Sequence, residues 1–140
     1  MEAYEEQRQE QLDLLSRALQ QQRRSVRAYE LLVAAAPERA DKRLLAAIQR
    51  EERRHYYLLE GIYEEIAGHA FRPPRVSLAM PRQYLSMLQV AIRDKLDTVD
   101  FFVKLDAALT CLKQRELLAI VISDQKEQAR ILAALYSRQA

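Results

Sequence analysis

Six polar side chains stand where the helical pattern calls for apolar residues: Gln22, Glu52, His55, Lys95, Gln125 and Gln128. In Glu52-Arg53-Arg54-His55 a carboxylate and an imidazole lie three residues apart, on one face of a helix. Oxygen donors and imidazole together hold divalent metals, and the same pair also serves as a buried hydrogen bond. The three amides are neutral, and the Lys95 ammonium is a cation with no lone pair to donate. Metal ligation and a polar core layer are therefore the two chemistries in view. Other candidates carry less. Asp94, Asp97 and Asp100 recur with period three, as an exposed, solvated helix face does. Tyr56-Tyr57 are open to packing on a neighbouring helix or on a second subunit. His69 has no partner at ligand spacing, and the single Cys111 has neither a disulfide partner nor a zinc spacing. No Ser/His/Asp or Cys/His set stands out.

The elements that must position these residues follow from composition and breakers. At 140 residues the chain has the size of one domain, expected over 1–140. Its 22 Lys+Arg and 20 Asp+Glu are interspersed, and Arg53-Arg54 is the nearest thing to a basic block. No nucleic-acid or membrane partner is expected from that balance. With no signal-like segment and no run of about 18 apolar residues, a cytoplasmic location is expected. Two glycines are too few for phosphate-cradling loops or for turn-rich β architectures. The expected fold class is all-α. Pro37, Gly68, the Pro73-Pro74 and Pro81 segment, and a weaker break near Thr110-Cys111 divide the chain. Four helices are expected at about 5–35, 39–67, 81–109 and 112–138, each roughly 40 Å long. The linker over 68–80 joins a first hairpin (5–67) to a second (81–138). Fully extended it spans roughly 46 Å, which allows a crossover along the bundle and leaves a short connection open.

The two hairpins repeat. At an offset of 73 residues Leu12 falls on Leu85, Leu15 on Leu88, Tyr29 on Phe102, Leu45 on Leu118 and Leu59 on Leu132. The polar interruptions pair at the same offset: Gln22 with Lys95, Glu52 with Gln125, and His55 with Gln128. Glu51-Glu52 leaves a one-residue ambiguity over the seam, and the aligned Asp124-Gln125 supports the second position, Glu52. If the helices pack with these layers level, the six side chains converge inside the bundle.

This constellation resembles the ferritin-like superfamily, particularly the small rubrerythrin-type domains of bacteria. The segment Glu52-Arg53-Arg54-His55, followed by Leu59, Ile62-Tyr63 and Gly68, is similar to that family's second helix. The stretch before Tyr29-Glu30-Leu31-Leu32 is similar to its first. The resemblance implies an antiparallel four-helix bundle with a di-iron site built from two Glu residues and two Glu-x-x-His motifs. Its six ligand positions fall on Gln22, Glu52, His55, Lys95, Gln125 and Gln128, of which Glu52 and His55 alone keep the family's residue. One carboxylate balanced by one ammonium leaves nothing to compensate two metal ions. The expected reading is a degenerate site with the metal replaced by a Lys95–Glu52 pair, in a non-catalytic structural or interaction module without cofactor. Its expected partner is a second copy of the chain, as a homodimer, or a ferritin-like paralogue. The alternative is an iron- or manganese-binding oxidoreductase or iron-handling protein using Glu52 and His55. A Lys95 at the edge of its seam, snorkelling to water, is the competing reading of that residue.

Overall fold

The prolines and Gly68 fall where the chain turns. A computed structural model describes all residues from Met1 to Ala140 as four α-helices: α1 (Glu2–Ala35), α2 (Arg39–Ala67), α3 (Tyr84–Ala108) and α4 (Leu112–Gln139). Ala36 is extended, as the residue before a proline must be, and this ends α1. Gly68 closes α2 with φ +80°, a left-handed conformation that any side chain would strain. Neither α1 nor α2 has a basic residue in its last turn, and each borrows one. Lys42 donates to the carbonyls of Val33 and Ala34, and Arg8 to those of Ile66 and Ala67.

Two boundaries differ from the sequence reading. Helix α1 starts at Glu2 rather than near residue 5; its first two turns are exposed and polar, with no apolar seam to mark them in the sequence. Helix α3 starts at Tyr84 rather than near 81. Gln83 is still extended (φ −84°, ψ 136°), and its carbonyl takes the first helical hydrogen bond, from Met87. The linker therefore covers 68–83 rather than 68–80.

The connection is a crossover. Phe71 packs into the apolar cluster at the Gly68 end, beside Tyr63 (ring centroids 5.2 Å apart). The Arg23 guanidinium then donates to the Pro74 carbonyl from mid-α1, and Met80 joins the cluster at the opposite end. Helices α2 and α3 thus start at the same end of the bundle. There the buried Asp41 of α2 accepts hydrogen bonds from the Tyr84 hydroxyl, Arg138 and Gln139. Helix α1 packs on α2 and α3, and α4 on α3 and α2, so every adjacent pair is antiparallel.

Buried positions recur at the 73-residue offset: Leu15 with Leu88, Tyr29 with Phe102, Leu32 with Leu105, Leu45 with Leu118, Ile62 with Leu135. Each such leucine or aromatic contributes about 1.5–3 kcal/mol by leaving water. The core is nonetheless not continuous. It falls into two apolar clusters, one around Leu15, Leu19, Leu59 and Phe102, the other around Tyr29, Leu45, Leu88 and Leu132. A polar layer lies between them.

A buried ion pair between two apolar clusters

Glu52 is the centre of that layer. Helix α2 presents Leu45, Ile48, Glu52, His55, Leu59 and Ile62 along one buried stripe, so the carboxylate enters the core by helical periodicity alone. Glu51 lies one residue off the stripe and is only half-buried. Lys95 reaches Glu52 from α3 with Nζ 2.9 Å from Oε2, and the pair is 3% and 0% exposed. Lys95 does not snorkel. Its ammonium also donates to Gln125 Oε1 (2.6 Å) and lies 5.2 Å from the centroid of the Tyr29 ring.

Every oxygen of Glu52 is engaged. Oε2 takes Lys95 and the Ser25 hydroxyl (2.6 Å). Oε1 takes Gln125 Nε2 (2.7 Å) and faces His55 Nδ1 (3.2 Å). The Gln125 amide bridges the two charges, its oxygen on the cation and its nitrogen on the anion. Gln22 donates to the Glu52 backbone carbonyl (3.2 Å), which leaves its own Oε1 buried without a partner. The Tyr29 hydroxyl is also buried and unpartnered, and burial together with the Glu52 charge raises its pKa.

Around this inner layer lies an outer one. His55 Nε2 is 2.9 Å from Asp124 Oδ2, and Gln128 Nε2 donates to Glu51 Oε1 (2.8 Å). Of the six positions singled out in the sequence, the structure therefore joins Gln22, Glu52, His55, Lys95 and Gln125 by hydrogen bonds. Gln128 is buried with them and bonds outward instead.

The pKa values follow this geometry. Burial alone would push the Glu52 carboxyl up, but the Lys95 ammonium and the donors His55 and Ser25 hold it well below the usual carboxylate range. Burial pulls the Lys95 ammonium down, against the opposing pull of Glu52. Burial also opposes charge on His55, and its hydrogen bonds to Glu52 and Asp124 outweigh that and raise its pKa. A depressed carboxylate stabilises the fold above its unfolded value, near 4.5, and loses that contribution as pH falls. A raised histidine stabilises the fold below its unfolded value, near 6.5, and loses that contribution as pH rises through its folded value. Stability of the chelator-treated protein should therefore peak between about pH 4.5 and 6.5. Urea melts across pH check this, and His55→Gln should flatten the alkaline limb. An unchanged alkaline limb would show that His55 does not gain a proton-stabilising environment on folding.

No protein-family model and no curated protein sequence matches the chain. Solved structures do. A ferritin-like, diiron-carboxylate protein from Bacillus anthracis superposes with a TM-score of 0.78 at 17% identity, covering 93% of this chain and 97% of that one. A hypothetical protein from Pyrococcus furiosus gives 0.78 at 16% identity over 91% and 88%. The chain also matches 37% of an Anabaena variabilis protein with DJ-1/ThiJ/PfpI-like and ferritin-like domains, with 94% of this chain covered, a TM-score of 0.75 and 18% identity. The chain has the ferritin-like fold.

At the positions where the resemblance places ligands in a ferritin-like bundle, the donor set does not fit a di-iron centre. It offers one carboxylate, both of whose oxygens are already occupied by four partners. It also holds an ammonium 2.9 Å from that carboxylate, so the layer already contains its cation. Two metal ions would have to displace Lys95 and be held by neutral amides, which compensate no charge.

Sequence reasoning overlooked three members of the site. Ser25 lies a turn beyond Gln22 on α1 and looks like an ordinary polar residue, with no sign that it reaches Glu52. Glu51 and Asp124 served in the sequence only to settle register. Their pairing at the 73-residue offset was the available sign that the outer layer is also duplicated.

Proposed function

We propose that this protein is a ferritin-like bundle that has lost its di-iron centre and acts as a non-catalytic structural or interaction module. The Lys95–Glu52 pair occupies the place of the metal. One observation carries the reading: an ammonium, fully buried, donates to the one carboxylate of the layer and to the amide aligned with it. The pair does for the bundle what a polar core residue does for a coiled coil, since its members find partners in one helix register alone. The partner proposed is a second copy or a ferritin-like paralogue. Leu96 and Val103, exposed seven residues apart on α3, and exposed Ile120 on α4 supply apolar surface for it. No helix is long and apolar enough to cross a membrane, and a cytoplasmic setting belongs to the same proposal.

The test is elemental analysis of protein purified without chelators from iron- and manganese-supplemented cells, with oxygen-dependent Fe2+ oxidation measured alongside. The reading expects fewer than two ions per chain and oxidation at the buffer rate. Two ions per chain, with oxidation above buffer, would contradict it and favour the oxidoreductase alternative built on Glu52 and His55.

A further inference from the structure

The buried layer holds its own cation, but the layer outside it does not. There, between α2 and α4, His55 Nε2 and one carboxylate oxygen each from Glu51 and Asp124 lie within 4.8 Å of one another. We propose that these three side chains, with the amide of Gln128, bind a single divalent transition-metal ion outside the Glu52–Lys95 layer. The site shares His55 and Gln128 with the six positions of the resemblance but takes its two carboxylates, Glu51 and Asp124, from outside them.

Four observations carry this. The first is symmetry. Asp124 is Glu51 moved by 73 residues, and Gln128 is His55 moved by the same offset. The contacts His55–Asp124 (2.9 Å) and Gln128–Glu51 (2.8 Å) are one contact seen in both copies. The cluster therefore sits where the two halves of the chain face each other, and both halves contribute donors equally. The second is an orphan. Gln128 Oε1 is buried and has no hydrogen-bond partner, although the same amide touches Glu51 through Nε2. A buried acceptor left unpaired costs about 1–3 kcal/mol. Exchanging the two ends of the amide turns this oxygen toward the cluster as a fourth donor. It gives up the Nε2–Glu51 bond and leaves Nε2 in the unpartnered place, so the exchange is favoured only with an ion bound.

The third observation is charge. Two carboxylates and a neutral imidazole match a dication, whereas Glu52 and Lys95 in the inner layer already cancel. The guanidinium near the outer carboxylates, Arg54, is mostly exposed and 3.8 Å from Glu51, a weak competitor. The fourth is support behind the ligand. His55 Nδ1 faces Glu52 Oε1 at 3.2 Å, the carboxylate–histidine arrangement that fixes which ring nitrogen is presented to a metal. On this account the buried ion pair has a second task, holding the His55 ring with Nε2 outward.

One nitrogen and three oxygens suit zinc or manganese. Metal–ligand distances of about 2.0–2.2 Å place donors roughly 3.4 Å from one another. Separations of up to 4.8 Å would close to that value, while the 2.9 Å His55–Asp124 contact would open by about half an ångström as the ion replaces the hydrogen bond. The Glu51 and Asp124 side chains are 30% and 36% exposed, so the ion enters from solvent without unfolding the core.

The test is calorimetric titration of Zn2+ into the chelator-treated full chain. The expected result is one Zn2+ per chain at micromolar Kd or tighter. Asp124→Asn and Glu51→Gln should each weaken binding by about tenfold or more, with Asp97→Asn on α3 leaving it unchanged. Both substituted carboxylates are partly exposed, and melting curves without metal show whether each variant folds. Absence of binding in the wild-type chain overturns the inference and leaves the proposed function standing. Binding undiminished in the Glu51→Gln/Asp124→Asn double variant also overturns it. Two ions that survive the double variant overturn the proposed function as well.

Discussion

Glu52→Met should cost about 3–5 kcal/mol, and Lys95→Met less than half of that. For a chain of this size the first figure lowers Tm by on the order of 10 °C. The asymmetry comes from the partners each residue leaves behind. Without Lys95, the Glu52 carboxylate keeps three donors: Ser25, Gln125 and His55. Without Glu52, the Lys95 ammonium keeps only the Gln125 oxygen and the face of the Tyr29 ring. An ammonium in that setting has lost its counter-ion while only 3% exposed, and the penalty is its desolvation. The double variant Glu52→Met/Lys95→Met should recover most of the loss, because replacing both ends of a buried pair by apolar groups is often neutral. Thermal melts of the three variants close the cycle. Equal costs for the two single changes, with no recovery in the double, would place Lys95 in contact with solvent.

The second large effect is a gain. The combined change Gln22→Glu, Lys95→Glu, Gln125→Glu and Gln128→His gives the layer four carboxylates and two imidazoles in place of one of each. In the absence of metal these carboxylates repel one another between two apolar clusters, so the apo variant should melt well below wild type. Fe2+ should restore it, since an ion that binds only the folded state stabilises by mass action, about 4 kcal/mol at a thousandfold excess over Kd. Two irons per chain are expected from elemental analysis of the reconstituted variant. A variant that folds and takes up no iron would show that these six positions do not surround a metal-sized space.

The two effects depend on different parts of what was readable in the sequence. The fold was readable because its signals are periodic. The 3,4-spaced lines Leu45, Ile48, Glu52, His55, Leu59 and Ile62 of α2, and Leu118, Val121, Gln125, Gln128, Leu132 and Leu135 of α4, are all buried. In α1 the 3,4-spaced line Leu12, Leu15, Leu19, Gln22, Val26, Tyr29, Val33 and Ala36 is only half-buried at Val26 and Val33, so the seam is wider than one line, with Leu32 and Ala18 taking inner places. The meeting of Glu52 with Lys95 was readable because the repeat set their heights in the bundle. Linker length permits both connections, and the crossover follows from the places of Phe71 and Met80 at opposite ends of the core. Side-chain direction was not readable at all. Nothing in the spacing says that Gln128 turns to Glu51 rather than to Glu52, or that Ser25 adds a fourth partner to the buried carboxylate. The clamp at Asp41 was equally hidden, because its partners are a tyrosine after the linker and two residues at the end of α4.

The proposed function places an ammonium where a related bundle would hold metal. Iron-edge anomalous diffraction from crystals of the wild-type protein soaked in Fe2+ tests it most directly. No anomalous peak is expected among Gln22, Glu52, Lys95 and Gln125, with Lys95 Nζ still bonded to Glu52, and at most one peak is expected outside them between Glu51, His55 and Asp124. A pair of peaks about 3.5–4 Å apart within the buried layer, with Lys95 displaced, would contradict it.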